Sequence, residues 1–452
     1  MGKECFLKYL RKIGIDKSVA YSSGARVVQG VTGVVTVLMI AGFLSKVDQG
    51  YYYTFGSILA IQIFFELGLT NILIQFVGHE MAGLEWKEVY KLSGSSDNIS
   101  RIAHLLRFSV RWYGIVSLMF VIITVICGII FFSHFSVETH DSVWLAPWVL
   151  VCVSTGLSLF LSPVLAVLTG MGKVKEVSRI RFYQQLMTPL LSWILFIAGF
   201  KLYVLGLSSL LSSIIVFILV TRNNLLSILK FLWGVRIESK ISYRNEIFPY
   251  QWKIALSWVS SYFVVQFFNP VLFATSGAAV AGQMGMTLTA LNSISAFSQS
   301  WISTKIPVMS RLIALKDYLQ LDKLFHTTVR QMSIVCFILL TVLLIMLGIM
   351  QILELPLRNR FLPFLPLLLM IVAVFISQFV NAWAVYLRCH KKEPLLAYSV
   401  VTGALCCLST LVLGLHYGVI GITVGYCTII AAMSLWAHYI YVRKKIEWHV
   451  YA

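Results

Sequence analysis

Two stretches of this chain, Val116–Phe132 and Ile334–Met350, contain no charged residue at all. With their flanks they match the roughly 20 apolar residues needed to cross a ~30 Å hydrocarbon core. A chain with such runs has few folds open to it. Inside lipid every backbone N–H and C=O must be satisfied within the chain, which leaves helices or a closed barrel. Runs this long and continuous call for helices. Composition agrees, since 59% of the 452 residues are hydrophobic and 12% are charged, against about 25% charged in ordinary soluble domains. Spans are expected at about 19–44, 51–78, 112–132, 144–169, 183–200, 203–221, 254–274, 278–303, 331–352, 362–386, 395–415 and 417–441. The expected fold class is an all-α integral membrane protein of about twelve transmembrane helices.

The net charge of +18 is distributed by side, which argues against nucleic acid as a partner. Basic residues gather in the N-terminal stretch (Lys3, Lys8, Arg11, Lys12, Lys17), Lys87–Arg111, Lys173–Arg181, Arg222–Lys253, Lys305–Arg330, Arg388–Lys392 and Arg443–Lys445. These segments hold 31 of the 36 Lys and Arg. Arg26 lies within the first span. The opposite side keeps only Lys46, Lys201, Arg358 and Arg360. The positive-inside rule then puts both termini in the cytoplasm, with membrane lipids as contacts for the excess charge. Met1–Ser18 is polar and basic, so no cleavable signal peptide is expected. The expected location is a membrane that the chain crosses many times. The eight Cys form no CxxC pair, and six fall within spans, where they serve as small packing residues.

The expected organisation is a six-helix lobe over 1–221, a cytoplasmic linker over 222–251, a second six-helix lobe over 252–441 and a tail over 442–452. Gly50 aligns with Gly282 at corresponding points of the two halves. Leu202-Tyr203-Val204-Leu205-Gly206 likewise resembles Tyr417-Gly418-Val419-Ile420-Gly421. Six spans return the chain to the same side. The repeats would therefore be parallel, related by a pseudo-twofold axis along the membrane normal with a central cleft between lobes. Residues 82–111 mix apolar and charged side chains and suggest a helix lying at the interface. Gly414-xxx-Gly418 and Gly421-xxx-Gly425 would let the last two helices pack closely.

No catalytic, metal or cofactor motif is present. His79-Glu80 begins like a zinc-protease helix, but Gly83 stands where the second His belongs. There is no P-loop and no dinucleotide fingerprint. The chemistry lies in polar groups at membrane depth, which are costly and usually face a bundle interior or a wet cavity. Arg26 and Gln29 share a face of the first span, and Gln62 and Glu66 share one of the second. Gln266 and Asn269 lie together in the seventh, with Lys253 at its start. Asn292 and Gln299 are two turns apart in the eighth, with Lys305 at its end and Arg311 beyond. Two readings fit these residues. They could line a net cationic cavity for an anionic, sugar-like substrate, with Arg and Lys for phosphate and amides for hydroxyls. Alternatively, Arg26 and Glu66 could form a structural ion pair, while Lys253 and Lys305 only snorkel to headgroups.

Several stretches resemble a known family. Phe43-Leu44-Ser45, Asp48-Gln49-Gly50-Tyr51-Tyr52-Tyr53-Thr54-Phe55, Phe64-Phe65-Glu66-Leu67-Gly68-Leu69 and Gln75-Phe76 carry the likeness in the first half. In the second half it is carried by Gln251-Trp252-Lys253-Ile254-Ala255-Leu256-Ser257-Trp258, Tyr262, Pro270, Ala281-Gly282-Gln283-Met284-Gly285-Met286-Thr287 and Thr304-Lys305-Ile306-Pro307. They resemble Wzx-type polysaccharide-biosynthesis flippases of the multidrug/oligosaccharidyl-lipid/polysaccharide exporter superfamily. That resemblance implies no enzyme activity. It implies movement of an undecaprenyl-diphosphate-linked oligosaccharide, an O-antigen unit or similar, from the inner to the outer leaflet by alternating access. The implied partners are the lipid-linked oligosaccharide itself, a polysaccharide polymerase and a chain-length regulator. A small-molecule or drug antiporter of the same superfamily is the alternative. A polysaccharide polymerase or glycosyltransferase fits less well, because it would want an acidic cluster on a large outer loop.

Overall fold

Each of the twelve segments expected to cross the membrane is helical in the computed structural model, which describes residues 17–87, 91–135, 143–222, 224–239, 241–390 and 392–450. Helix accounts for 87% of it. Among the described residues, eight helical stretches are long and apolar enough to span a bilayer. The difference from twelve has three sources. Helix α1 (Lys17–Phe43) counts only over Gly30–Phe43, an apolar stretch shorter than a full span. Helices α7 (Val174–Ile197) and α12 (Ala278–Ser303) carry too many polar residues. The last two expected spans run together as one helical stretch, α16 (Leu396–Val450).

The remaining elements, in chain order, fill in between. Helices α2 (Lys46–Leu59), α3 (Gln62–Glu66) and α4 (Leu69–Glu80) make up the second span. A hairpin of β1 (Leu84–Trp86) and β2 (Leu92–Gly94) leads to α5 (Ser96–Phe135). Then come α6 (Leu145–Gly170), α8 (Tyr203–Arg222), α9 (Leu225–Gly234), α10 (Phe248–Val265) and α11 (Phe268–Ser276). Beyond α12 lie α13 (Ile306–Ala314), α14 (Tyr318–Ile352) and α15 (Phe364–Cys389).

Contacts group the chain into two compact units, and their limits differ from the two sequence halves. One comprises the described residues up to Thr54 together with those from Phe263 on; the other is Phe55–Tyr262. The first helix thus belongs with the C-terminal helices. The reason is a close seam of small residues. A Cβ on Gly33 of α1 would sit 1.9 Å from Ser293 Oγ of α12, and one on Gly50 of α2 would sit 2.0 Å from the Ala278 carbonyl oxygen. Small residues of this kind let helix backbones approach in lipid. The seam is closed by side-chain bonds. Gln49 donates to the Gly282 and Arg360 carbonyls at 2.8 and 3.1 Å, and Arg360 donates to the Leu44 carbonyl at 2.7 Å. Arg358 donates to the Leu362 carbonyl at 2.7 Å. Two of the four cations on the charge-poor side are therefore spent on holding loops.

In the same unit α16 turns back on itself at Gly418 (φ 55°, ψ −133°), a conformation that favours glycine. A Cβ on Gly421 would lie 2.2 Å from the Leu413 carbonyl oxygen, and one on Gly425 would lie 2.0 Å from Ser409 Oγ. The paired glycine motifs read from the sequence therefore pack the two arms together. Near the charged end, Asp322 accepts from Lys445 at 2.8 Å and from the Tyr386 hydroxyl at 3.0 Å.

In the second unit the fully buried Trp148 of α6 sits against Phe55 and Phe132, with ring centroids 5.1 and 5.4 Å away. Among the described residues, 82–111 holds no separate interfacial helix. Leu84–Trp86 and Leu92–Gly94 instead pair antiparallel, in the register Leu84↔Gly94 and Trp86↔Leu92. From Ser96 on, the chain is already the long helix α5. The charges that suggested an interface have partners. Arg101 bridges Glu80 at 2.8 Å and Glu246 at 2.9 Å. Ser100 Oγ accepts the backbone N–H of Glu238 and Ser239, at 2.7 and 3.0 Å. The Ser242 N–H, together with the Arg101 guanidinium, holds the Glu246 carboxyl below the usual carboxylate range. The expected linker is thus folded onto the first turns of α5.

Candidate functional site

The second span is interrupted in mid-course. Leu67 (φ 47°) and Gly68 (φ 68°) both take left-handed backbone conformations between α3 and α4. Glu66 is the last residue of α3, directly before this break, and the Thr70 hydroxyl on the far side donates to its carboxylate. Discontinuous helices of this kind free backbone groups at membrane depth, and in transporters they are commonly built into binding sites.

Glu66 opens onto a cavity of about 370 Å³ that lies wholly within the second unit. Thr70, Asn71 and Ile74 of α4 line it, along with Ser158 and Ser162 of α6 and Ser213 of α8. Helix α7 contributes Arg181, Gln184 and Gln185, and α10 contributes Trp258. The α7 residues fall at i, i+3 and i+4, which places them on one face of a helix. Ser158 and Ser213 share a hydrogen bond of 2.8 Å. Ser158 lies halfway along α6, so the cavity reaches well into membrane depth. Among the described residues, its charged groups are Glu66 and Arg181, and the carboxylate acts electrostatically on the guanidinium. The rest of the polar lining consists of amides and hydroxyls, which can donate and accept in turn. No metal or cofactor chemistry is suggested by this donor set, which holds one carboxylate and no His or Cys.

Of the described residues singled out in the sequence, only Glu66 lines this cavity. Gln62 opens α3 one turn before it. The side chains of Arg26, Gln29 and Lys253 lie outside the described residues. Gln266 sits in the turn between α10 and α11, and Asn269 is buried at the start of α11. Asn292 is exposed on α12. Gln299 is engaged elsewhere: it donates to Gln378 Oε1 at 2.9 Å, and Gln378 donates in turn to Ser295 Oγ at 2.6 Å. Lys305 stands at the N-cap of α13, and Arg311 is exposed on that helix. Sequence reasoning missed Arg181, Gln184 and Gln185. Their spacing was visible, but hydropathy began the span at 183 and left Arg181 in a basic loop.

No protein-family model matches the chain, and no curated protein matches it either. Solved structures do. An inward-facing multidrug resistance MATE family transporter of the MOP superfamily aligns with a TM-score of 0.56 at 12% identity, covering 92% of this chain and 98% of that one. An outward-facing conformation of such a transporter gives 0.56 at 14% identity, covering 94% and 96%. A MATE protein in the straight conformation gives 0.54 at 12% identity, covering 94% and 95%. The chain is a multi-pass, mostly helical membrane protein with the fold of MATE family transporters.

Proposed function

We propose that this chain is an alternating-access transporter that carries undecaprenyl-diphosphate-linked oligosaccharide from the inner to the outer leaflet of a bacterial cytoplasmic membrane. The observation that carries this reading is the lining of the cavity. Three amides, four hydroxyls and an indole surround one guanidinium. Such a set suits sugar hydroxyls, with Arg181 suited to a phosphate. A diphosphate and its sugars cannot cross hydrocarbon unaided, because burying an unpaired charge is prohibitive. A polar route beside the bilayer removes that cost while the lipid tail stays in lipid. In the empty site Glu66 is the counter-charge to Arg181. An arriving phosphate would compete with Glu66 for the Arg181 guanidinium. An inside-negative potential also favours outward movement of anions, by roughly 2.3 kcal/mol per charge per 100 mV.

In the same reading both termini are cytoplasmic, and Arg26, Lys253, Lys305 and Arg311 capture the diphosphate on that side. Gln29, Gln62, Gln266, Asn269 and Asn292 bind sugar hydroxyls. Gln299 is bonded to Gln378 and fits a structural role better.

A second reading has its own observation. Glu66 and Trp258 share the cavity, and a carboxylate beside an aromatic ring suits an organic cation. It would make the chain a drug antiporter; two of its structural neighbours are described as multidrug resistance transporters. Deleting the gene separates the two. Loss of surface polysaccharide with lipid-linked units accumulating on the cytoplasmic face is expected. Intact polysaccharide with raised drug susceptibility would replace the first reading by the second.

A further inference from the structure

Helix α5 is 40 residues long, about 60 Å at 1.5 Å per residue, roughly twice the ~30 Å hydrocarbon core. From Tyr113 to Ser133 it carries no charged residue, so residues 96–111 project beyond the core. Arg107 lies one turn outside Arg111 and Trp112, about 6 Å along the axis, at headgroup depth. Its guanidinium donates to the Trp233 carbonyl and, at 2.5 Å, to the Val235 carbonyl, which are the orphan acceptors at the end of α9. It also lies 5.9 Å from the centre of the Trp233 ring. The end of α9 is therefore fixed at that depth.

Helix α9 buries Leu225, Ile228 and Leu232 against the protein. Its other face carries half-buried Leu226 and Leu229, exposed Lys230 and Trp233, which is 47% exposed. Arg222 and Arg236 flank it, both exposed. Trp112, Phe248 and Trp252 of the same unit also stand exposed. Tryptophan and basic residues around an amphipathic helix are the composition of a membrane interface. We propose that α9 lies in the headgroup layer on the basic side, and that its outer face binds anionic phospholipid through Arg222, Lys230, Arg236 and the Trp233 ring.

The test compares the full-length protein in nanodiscs of phosphatidylcholine alone and of phosphatidylcholine with phosphatidylglycerol. Hydrogen exchange over residues 225–234 is expected to be at least about fivefold slower in the anionic discs. The Lys230→Glu, Arg236→Glu double variant should lose that difference while exchange in α6 stays unchanged. Equal exchange in both discs would overturn the proposal, whether it is uniformly slow from protein packing or uniformly fast from a face meant for another protein. A second measurement does not depend on the double variant folding. Brominated phosphatidylglycerol should quench the wild type more than the Trp233→Phe variant, and equal quenching would also overturn the proposal.

Discussion

Helices α7 and α12 are both too polar to pass as membrane spans, yet they use their polarity in opposite ways. On α12 the polar side chains are mostly short hydroxyls that bond back to their own helix. Thr287 donates to the Gln283 carbonyl, Thr289 to Gly285, Ser293 to Thr289 and Ser298 to Ile294, all at 2.8 to 2.9 Å. Its amide Gln299 is chained to Gln378 and Ser295. The result is a self-satisfied helix, thin enough for α1 to close on it. On α7, Arg181, Gln184 and Gln185 open onto the cavity. Polarity thus gives packing in one helix and a polar cavity wall in the other. Side-chain reach decides which: a hydroxyl can fold back on its own carbonyl, and a guanidinium cannot.

The comparison can be broken from either side. The largest effect is expected at the cavity. Arg181→Ala should lower export by about 100-fold or more, comparable to losing a charge-assisted contact at ~1.4 kcal/mol per tenfold, while the thermal midpoint in detergent stays within a degree or two. A fall in midpoint with export intact would make Arg181 structural. The middle effect belongs to the satisfied network. Gln378→Leu strands Gln299 and Ser295 and should cost about 1 kcal/mol, read as a lower midpoint with export per folded molecule preserved. The smallest is Ser298→Ala, which removes the bond to the Ile294 carbonyl and a contact with the Cys336 thiol, and should change stability by less than ~1 kcal/mol. A large loss there would mean that the hydroxyl does more than satisfy itself.

Much of the fold was legible because hydropathy reports what a bilayer demands: every expected span is helical. What the sequence hid follows from the same measure. A window average treats a polar helix facing a cavity as a loop, which is why Arg181 was placed before the span rather than two turns inside it. Hydropathy also cannot tell a charged helix lying on the membrane from one extending past it. The segment holding Arg101 and Arg107 was read as a helix lying on the membrane, yet it forms the first turns of α5, and both arginines bind the segment after α8. Glu66 was found because an isolated carboxylate at membrane depth stands out without any knowledge of its neighbours. Gln299 was found by the same rule but has a structural partner, since amide pairs bury well.

The hairpin at Gly418 also bears on how the chain reaches the membrane. Between Glu393 and Arg443 no Asp, Glu, Lys or Arg occurs, and the two arms meet at one glycine, with exposed His416 and Tyr417 beside it. During synthesis, inserting this segment drags no formal charge through the hydrocarbon, which would cost about 2.5–3.5 kcal/mol per residue. The two arms can therefore partition from the translocation channel together, as a single folded pair. Nothing in the turn itself holds it on the far side. Its direction is set by the flanking cations, Arg388 and Lys392 before it and Arg443, Lys444 and Lys445 after it.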